Sequence, residues 1–550
     1  MRALCGVCLF LSIPGSAAPA NDSSIQFVDI SNQAGIHFVH HNGATGKKWL
    51  PETMGSGCAF VDLDGDGWAD IFLLNGKDWI AGPTRHLPAL YRNNRNGTFT
   101  DITKGSGLDV EMYANGVAVA DYDNDGLPDI YVTALEGDRL FHNEGHGHFR
   151  DVTAASHIRN ANFGTSAAWF DFDRDGKADL IVANYVNWTP STDVWCSMDG
   201  KTKSYCTPES YKGQSLKLYH NLGNGRFEDV TKKAGLDQAS SKSLGIVVSD
   251  FNNDGWPDLF IANDTQPNKL YVNDKNGTFS ERGVQAGVAY GDDGTARGAM
   301  GADAADFDRS GRPALLVGNF SKQMMALYHN DGGGLFSDAA PSSVLARASL
   351  HDVTFGAFFF DYDLDGFPDI FAVNGHIDPD INRVQPDLQF REAALLFHNN
   401  EHGGFEDASN SVGADLRKPI VGRGAAYADF DHDGDPDVLI TENGGPARLL
   451  RNDGGNKNHW LNVRLVGRRS NRSGLGAVVR VEAPSGKQWQ TVHSGSSYCS
   501  QSDLALIFGL KQDRTVSRLT VEWPSGKTQH FENVAANQFV TIDENSGLSK

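Results

Sequence analysis

The chain has 550 residues, of which 40% are hydrophobic and 61 are glycine, and its formal net charge is −21. This length is too great for one ordinary core, and the glycine and aromatic content favours many short strands over long helices. The negative charge argues against nucleic acid or an anionic membrane surface as the partner.

Residues 1–20 have the composition of a secretory signal peptide. Arg2 provides the positive start, an apolar run follows from Ala3 to Ile13, and Ala18-Pro19-Ala20 offers a small-residue cleavage site. The apolar run is too short to span a bilayer, and no later stretch reaches ~18 apolar residues. The sequence therefore predicts a soluble mature protein, secreted or periplasmic, without a transmembrane segment. A retained N-terminal anchor is the alternative.

An acidic nine-residue loop occurs seven times in the rest of the chain. Its first copy is DLDGDGWAD, residues 62–70, and short apolar runs such as Ala59-Phe60-Val61 flank each copy. Successive copies begin 50 to 79 residues apart. The other six begin at Asp121, Asp171, Asp250, Asp306, Asp361 and Asp429.

Each acidic loop is followed by a pattern typical of a β-hairpin with a glycine turn, such as LYRNNRNGTF at 90–99. The seventh unit begins the same pattern at Leu449 but lacks its closing strand, and a strand of that kind stands at the other end of the chain, at Phe27–Ile36. Such an offset is what a closed ring needs, because the N-terminal strand then covers the last exposed edge. Four strands per unit and a period near 55 residues favour a seven-bladed β-propeller over residues 21–455 rather than a solenoid.

The pattern changes after Asn456. Residues 456–545 lack the acidic loop and alternate as strands do, for example in Trp460–Leu465 and Leu519–Trp523, with Pro-Ser-Gly-Lys turns at 484–487 and 524–527. We expect a separate small all-β domain that resembles a sandwich, followed by a tail at 546–550.

The acidic loop has the chemistry of a calcium site. Oxygens at positions 1, 3 and 5 converge in a tight loop, and a carbonyl at position 7 and a carboxylate at position 9 complete the six to eight hard oxygen ligands that Ca²⁺ takes. Mg²⁺ is the second choice, because it demands a stricter octahedron. One divalent ion per loop would reduce the net charge from −21 to about −7. The predicted ligands are Asp62, Asp64, Asp66 and Asp70; Asp121, Asp123, Asp125 and Asp129; Asp171, Asp173, Asp175 and Asp179; Asp250, Asn252, Asp254 and Asp258; Asp361, Asp363, Asp365 and Asp369; and Asp429, Asp431, Asp433 and Asp437.

The fifth loop departs from this pattern. Ser310 stands at its fifth position and Ala314 at its ninth, so two carboxylates are lost, and we predict that the site at Asp306 is weak or empty.

The alternative, in which the aspartates only form turns, does not explain four fixed carboxylates per copy. The loop is not an EF-hand, since strands flank it and Leu73 stands where that motif needs a glutamate. The sequence thus predicts about six calcium sites.

Four cysteines remain after the predicted cleavage. Cys196 and Cys206 flank a polar segment without metal-ligand spacing, and a local disulfide is the favoured interpretation in an exported protein. We expect Cys58 and Cys499 to be free and buried.

The acidic loops with their LYxNxGxGxF hairpins resemble the FG-GAP/VCBS repeats of integrin-like propellers. The C-terminal segment with Asn471-Arg-Ser-Gly-Leu-Gly, Gly495-Ser-Ser-Tyr498-Cys-Ser-Gln-Ser502 and Val521-Glu-Trp-Pro-Ser-Gly is similar to the ASPIC/UnbV domain. Together these motifs resemble the cartilage acidic protein family and its bacterial relatives. The resemblance implies an extracellular, calcium-binding, seven-bladed propeller, and it implies little about biochemical activity.

Two further sets of residues are candidates for a function beyond calcium. His40, His41, Glu52 and His376 are the best pocket candidates for an enzyme, but no known catalytic motif supports them. An asparagine ends the second strand in five units and could line a polar mouth, although a capping role is favoured. These asparagines are Asn75, Asn184, Asn263, Asn319 and Asn374.

The favoured function is that of an exported, calcium-stabilised module that binds an extracellular protein or glycan. The alternatives are an enzyme that uses the propeller mouth as its active site and, third, a purely structural matrix role.

Overall fold

A computed structural model describes residues 25–80, 82–238 and 241–549. The predicted signal peptide at 1–20 lies outside these residues. The described part contains 36 strands in nine four-stranded sheets, and none of its helices is long and apolar enough to cross a membrane. The helices are α1 (Gly283–Ala286), α2 (Val344–Ser349), α3 (Ile381–Val384) and the 3-10 turns Leu50–Thr53, Pro208–Ser210, Ala340–Ser342 and Gly455–Lys457.

Seven of the nine sheets are antiparallel blades, and in each of them an acidic loop joins the first strand to the second. In six blades the predicted hairpin forms the third and fourth strands, and in the seventh the fourth strand comes from the N-terminal end of the described residues. The blades are β2 Cys58–Val61, β3 Asp70–Leu73, β4 Ala89–Asn93 and β5 Phe99–Asp101; β6 Ala114–Ala120, β7 Asp129–Ala134, β8 Arg139–Gly145 and β9 His148–Asp151; β10 Gly164–Phe170, β11 Asp179–Asn184, β12 Lys217–Gly223 and β13 Arg226–Asp229; β14 Ser243–Ser249, β15 Asp258–Asn263, β16 Lys269–Asn273 and β17 Phe279–Glu281; β18 Ala299–Ala305, β19 Ala314–Asn319, β20 Ala326–Gly332 and β21 Leu335–Asp338; β22 Thr354–Phe360, β23 Asp369–Asn374, β24 Leu395–Asn399 and β25 Phe405–Asp407; and β26 Gly422–Ala428, β27 Asp437–Glu442 and β28 Arg448–Asp453 with β1 Gln26–Asp29.

The ring closes through the N-terminal strand. β1 pairs antiparallel with β28, with Phe27 opposite Asn452, and so becomes the outer strand of the seventh blade. The first strand of each blade contacts the first strands of both neighbours, and β26 contacts β2. The apolar cores lie between neighbouring blades, as where Phe60 and Ile71 of the first blade pack with Leu439 of the seventh. The fold is therefore an all-β, seven-bladed propeller, as the repeats predict.

The last two sheets form the C-terminal domain. They enclose a core that includes Val463, Phe508 and Val521 and that continues into Trp169 of the third blade. β29 pairs in parallel with β35, and the other pairs are antiparallel. One sheet contains β29 Trp460–Val466, β32 Leu506–Gly509, β35 Gln538–Asp543 and β36 Gly547–Ser549, and the other contains β30 Val478–Ala483, β31 Gly486–Thr491, β33 Thr515–Glu522 and β34 Thr528–Ala535.

A loop of the C-terminal domain, residues 494–502, enters the centre of the ring; we call it the plug. Its backbone pairs with the first strands of two blades, Gln501 with Ala59 in β2 and Ser497 with Ala302 in β18. A Cβ at Gly57 would lie 1.6 Å from the Cys499 carbonyl oxygen, so this close approach requires glycine. The plug joins the two domains into one core, and the sequence did not predict it.

The cysteines lie as predicted. Cys196 and Cys206 form a disulfide that braces the long insertion of the third blade. Cys58 and Cys499 are free and buried.

Candidate metal centres

The backbone of each acidic loop curls around its first aspartate. In the first loop the Asp66 N–H donates to Asp62 Oδ1 (3.0 Å) and the Gly67 N–H donates to Asp62 Oδ2 (2.9 Å). The glycine at the sixth position has a positive φ in all seven loops. The fourth position is also left-handed, and six of its residues are not glycine, at a cost of roughly 1–2 kcal/mol each. These fourth residues are Gly65, Asn124, Arg174, Asn253, Arg309, Leu364 and His432.

The loops bring the predicted ligands together. Carboxylate oxygens of Asp62, Asp64 and Asp66 lie within 4.8 Å of one another. The ninth-position aspartate is the first residue of the second strand in six blades, as Asp70 is in β3. Its side chain accepts hydrogen bonds from the Asn93 N–H (2.7 Å) and the Leu63 N–H (3.2 Å). The first loop therefore holds a convergent set of carboxylate oxygens, and hydrogen bonds from the backbone orient them.

Burial disfavours the charged form of several loop carboxylates. Burial raises the pKa of Asp70 to about 7 and that of Asp258 to about 8. In the seventh loop, burial and then repulsion from Asp433 raise the pKa of Asp435 to about 9. A divalent ion would favour the charged forms of these groups, because an opposite charge within reach stabilises a carboxylate.

The seventh loop has carboxylate oxygens that are suited to a ligand. Oδ1 of Asp429, of Asp431 and of Asp435 are buried and have no hydrogen-bond partner within the part of the chain that the structure describes. Buried polar atoms in proteins are nearly always paired, so these three oxygens are acceptors that a ligand could use. Asp435, at the seventh position, adds a carboxylate that the predicted ligand set did not include.

In three blades a histidine on the third strand lies beside the acidic loop, and the sequence analysis missed it. The His142 Nδ1 lies 3.1 Å from Asp129 Oδ1 and 3.4 Å from Asp123 Oδ2. His220 and His398 take the same place in the third and sixth blades. The Asp369 carboxylate, whose Oδ1 lies 3.2 Å from Nδ1, raises the pKa of His398 to about 9. The signal in the sequence is the histidine of LFHN and LYHN, whose side chain points from the third strand towards the loop.

In the fifth loop the two aspartates pair with side chains from other parts of the protein. The Trp489 Nε1–H of the C-terminal domain donates to Asp306 Oδ2 (2.7 Å), and His329 Nε2 lies 2.9 Å from Asp308 Oδ2. Ala314 provides no ligand at the ninth position. The fifth loop thus differs from the other six in having no carboxylate at its fifth and ninth positions, and side chains of the protein pair with the two aspartates that remain.

A buried asparagine ties each loop to the preceding blade; we call it the staple asparagine. The Asn143 Nδ2 group donates to Pro128 O in its own loop (2.9 Å) and to Leu63 O in the neighbouring loop (2.9 Å). The same inter-blade bond occurs at all seven junctions. The donors are Asn93, Asn143, Asn221, Asn273, Asn330, Asn399 and Asn452, and the acceptors are the carbonyls of Phe430, Leu63, Tyr122, Phe172, Phe251, Phe307 and Tyr362.

The C-terminal domain covers the face that bears the acidic loops. Arg464 Nη1 donates to Asp62 Oδ2 (3.1 Å), and Asn458 Nδ2 donates to Asp363 O (2.8 Å). Arg174 Nε of the third loop donates to Pro524 O (3.0 Å). The opposite face, which carries the disulfide-braced insertion, is the open face.

The predicted pocket candidates lie towards the open face but outside the cavity found there. A cavity of about 190 Å³ there is lined by residues such as Met54, Asp264 and Phe355, and none of His40, His41, Glu52 and His376 lines it. Burial lowers the pKa of His40 to about 3 and that of His376 to about 4, so both are neutral core histidines.

The strand-end asparagines do not line a mouth. They are at most 5% exposed, and each donates to a backbone carbonyl of the following loop, so the capping interpretation is the one that the structure supports. These bonds run from Asn75, Asn184, Asn263, Asn319 and Asn374 to the carbonyls of Leu87, Ser215, Pro267, Met324 and Ala393.

The FG-GAP-like repeat family matches residues 62–132, 126–182, 197–261, 250–317 and 306–372, more than half of the chain. The chain belongs to the FG-GAP repeat family. The family called ASPIC and UnbV matches residues 467–549, the C-terminal domain of this FG-GAP protein. The resemblance to the cartilage acidic protein family is therefore confirmed.

Two relatives of this FG-GAP protein are cartilage acidic protein 1 of Xenopus tropicalis and of Homo sapiens. The first is 29% identical over 315 residues, which cover 56% of this chain and 46% of that protein. The second is 26% identical over 500 residues, which cover 89% and 62%. The chain thus spans about half to three-fifths of the length of these relatives.

Among solved structures, one that is similar is a lectin of Agrocybe aegerita. The match covers 71% of this chain and 86% of the lectin chain at 16% identity, with a TM-score of 0.37, and no argument rests on it.

Proposed function

We propose that this FG-GAP protein is an exported, calcium-binding propeller that acts as an extracellular binding or adhesion module. The observation that carries the calcium proposal is the seventh loop, where three buried carboxylate oxygens lack partners among the described residues. Hard oxygen donors in a loop of flexible geometry suit Ca²⁺ better than the other common divalent ions.

Six loops would hold calcium through the residues at positions 1, 3, 5 and 9. In the fourth loop Asn252 replaces an aspartate and still offers a carbonyl oxygen. Bound calcium would supply the charge that lets these carboxylates ionise together. The ninth-position aspartate transmits that stabilisation to the blade, because it also accepts the backbone N–H of the staple asparagine.

Partner binding is proposed for the open face. The acidic-loop face is covered by the C-terminal domain, and the plug fills the centre of the ring. The open face carries the insertion closed by Cys196 and Cys206, in which Trp195 is 61% exposed. Exposed aromatic side chains contribute strongly to contacts with proteins. We therefore expect a protein or glycan to contact this insertion.

Calorimetric titration of the metal-free protein with Ca²⁺ tests the first part of the proposal. We expect about six sites in the wild type and one fewer in Asp431→Ala, which removes a ligand of the seventh loop. Asp308→Ala is the matched control, because it removes a carboxylate from the fifth loop, and its site count should equal that of the wild type. Absence of Ca²⁺ binding would overturn the calcium proposal.

A binding screen against extracellular-matrix proteins and a glycan array tests the second part. We expect a ligand whose binding requires Ca²⁺ and falls at least tenfold in Trp195→Ala. Binding that is indifferent to chelation and to Trp195 would contradict the proposal. Turnover of a substrate that is lost in His376→Ala, with the fold retained, would instead favour the enzyme alternative.

A further inference from the structure

His41, Asp78 and His86 form a cluster near the open face, beside the first blade, that is distinct from the acidic loops; we call it the histidine trio. His41 Nε2 lies 2.8 Å from Asp78 Oδ1, and His86 Nε2 lies 3.6 Å from Asp78 Oδ2. One ligand atom from each residue lies within 4.8 Å of the other two. The two imidazole rings stack with their centroids 3.5 Å apart and their planes at 6°.

Asn75 holds the three segments of the trio together. Its Oδ1 accepts the His41 N–H (2.7 Å), and its Nδ2 donates to Leu87 O (3.0 Å), the residue after His86. Asp78 follows Asn75 by three residues on the same segment. The His86 N–H donates to Glu111 Oε1 (2.8 Å), which fixes this backbone from the other side. Hydrogen bonds to the main chain therefore fix the positions of the segments that carry the trio.

The stacked rings place the Nε2 atoms of His41 and His86 beside the same carboxylate group, that of Asp78. An imidazole nitrogen is a common ligand for Zn²⁺ and related ions. Ligands of a tetrahedral ion with bonds of 2.0–2.1 Å are separated by about 3.3 Å. The distances from His41 Nε2 to Asp78 Oδ1 (2.8 Å) and from His86 Nε2 to Asp78 Oδ2 (3.6 Å) lie on either side of that value.

We propose that the histidine trio is a binding site for a borderline divalent transition metal, with Zn²⁺ as the favoured ion. Two imidazoles and one carboxylate suit Zn²⁺, Ni²⁺ or Cu²⁺ and not Ca²⁺, which takes oxygen ligands. The side chains of His41, Asp78 and His86 are 31%, 39% and 23% exposed, so solvent reaches the site and a water can complete the coordination. The protein would thus bind two chemically different classes of metal at separate places.

Titration of the full chain with Zn²⁺ in saturating Ca²⁺ tests the proposal, because Ca²⁺ occupies the acidic loops and leaves the trio free. We expect one Zn²⁺ per chain. The affinity for Zn²⁺ should fall at least tenfold in His86→Ala and in Asp78→Asn. His402→Ala is the matched control, since this exposed histidine lies in the hairpin turn of the sixth blade. Thermal unfolding of each variant in Ca²⁺ without Zn²⁺ checks that the fold is retained.

Substitution with Co²⁺ gives a second, spectroscopic test. Nitrogen ligands in a site of low coordination number produce intense visible absorption bands, and we expect these bands in the Ca²⁺-saturated wild type and their loss in His41→Gln. Absence of the bands, absence of Zn²⁺ binding, or equal Zn²⁺ affinity in the wild type and the His86→Ala variant would each overturn the proposal. The result is independent of the calcium count, because the trio shares no residue with the acidic loops.

Discussion

The staple asparagine allows a sharp prediction about stability. Asn143 is fully buried, and its side chain makes three hydrogen bonds of 2.9 Å, to Leu63 O, Pro128 O and the Gly145 N–H. Replacement by alanine would leave one buried carbonyl unpaired, at about 1–3 kcal/mol, and break two partly exposed bonds of about 0.5–1.5 kcal/mol each. We therefore expect Asn143→Ala to lower the free energy of unfolding by about 2–6 kcal/mol.

Urea denaturation in saturating Ca²⁺, followed by tryptophan fluorescence, measures this loss. Asn94→Ala is the matched control, because Asn94 lies in an exposed hairpin turn, and its effect should stay within about 1 kcal/mol. Asn143→Asp should destabilise at least as much as the alanine variant at neutral pH, since it places a carboxylate oxygen against two carbonyl oxygens. A loss under about 1 kcal/mol in Asn143→Ala would refute the reasoning, because the inter-blade bond would then contribute little.

Three further outcomes are expected. Burial holds the pKa of His40 near 3, below its unfolded value of about 6.5, so its contribution to stability is present above pH 6.5 and is lost as the pH falls. Between pH 6.5 and 5, His40→Gln should therefore lose about 1.5 kcal/mol less stability than the wild type in urea denaturation. Tyr498→Ala should cost about 3–5 kcal/mol by the same assay, because this plug residue is 1% exposed and packs on Phe355. Trp489→Phe removes the donor to Asp306 and should cost about 1–2 kcal/mol, while the calorimetric count of Ca²⁺ sites stays unchanged.

Each of these predictions has a contrary outcome. An acid dependence of His40→Gln that parallels the wild type would show that His40 takes up its proton equally in the folded and unfolded states. A Tyr498→Ala variant as stable as Tyr290→Ala, whose parent side chain is 40% exposed, would mean that the plug is not part of the core. A higher Ca²⁺ count in Trp489→Phe would show that the fifth loop is competent to bind metal and that the indole only blocks it.

Much of the ring followed from the sequence because each repeat contains its own local signals. The glycine at the sixth loop position, the alternation of the strands and the glycine turn of each hairpin act within a few residues of one another. The incomplete seventh repeat and the strand near Phe27 predicted their pairing, because an unpaired edge is costly and one strand was left over.

The staple asparagine and the plug could not be predicted in the same way. The staple asparagine occurs in every repeat of the sequence. Its acceptor lies in the preceding blade, as Leu63 does for Asn143, so the pattern within one repeat does not predict the partner. The plug depends on how two folded domains dock. Ser497 and Cys499 adopt positive φ in the plug, and the residue types at these positions do not predict that conformation. The histidines near the loops were missed for a related reason, since only the sheet register brings His142 opposite Asp129.

The uneven cover that the C-terminal domain gives to the acidic loops has a kinetic consequence. The sixth loop is enclosed by this domain: the Lys511 N–H donates to Leu364 O (3.1 Å), and Asp365 is only 7% exposed. Asp254 of the fourth loop is exposed to solvent. If both loops hold calcium, a chelator would meet the fourth ion directly, whereas the sixth ion would leave only after the domains separate locally. Calcium release should then occur in at least two phases, and the rate of the slow phase would report how often the C-terminal domain opens.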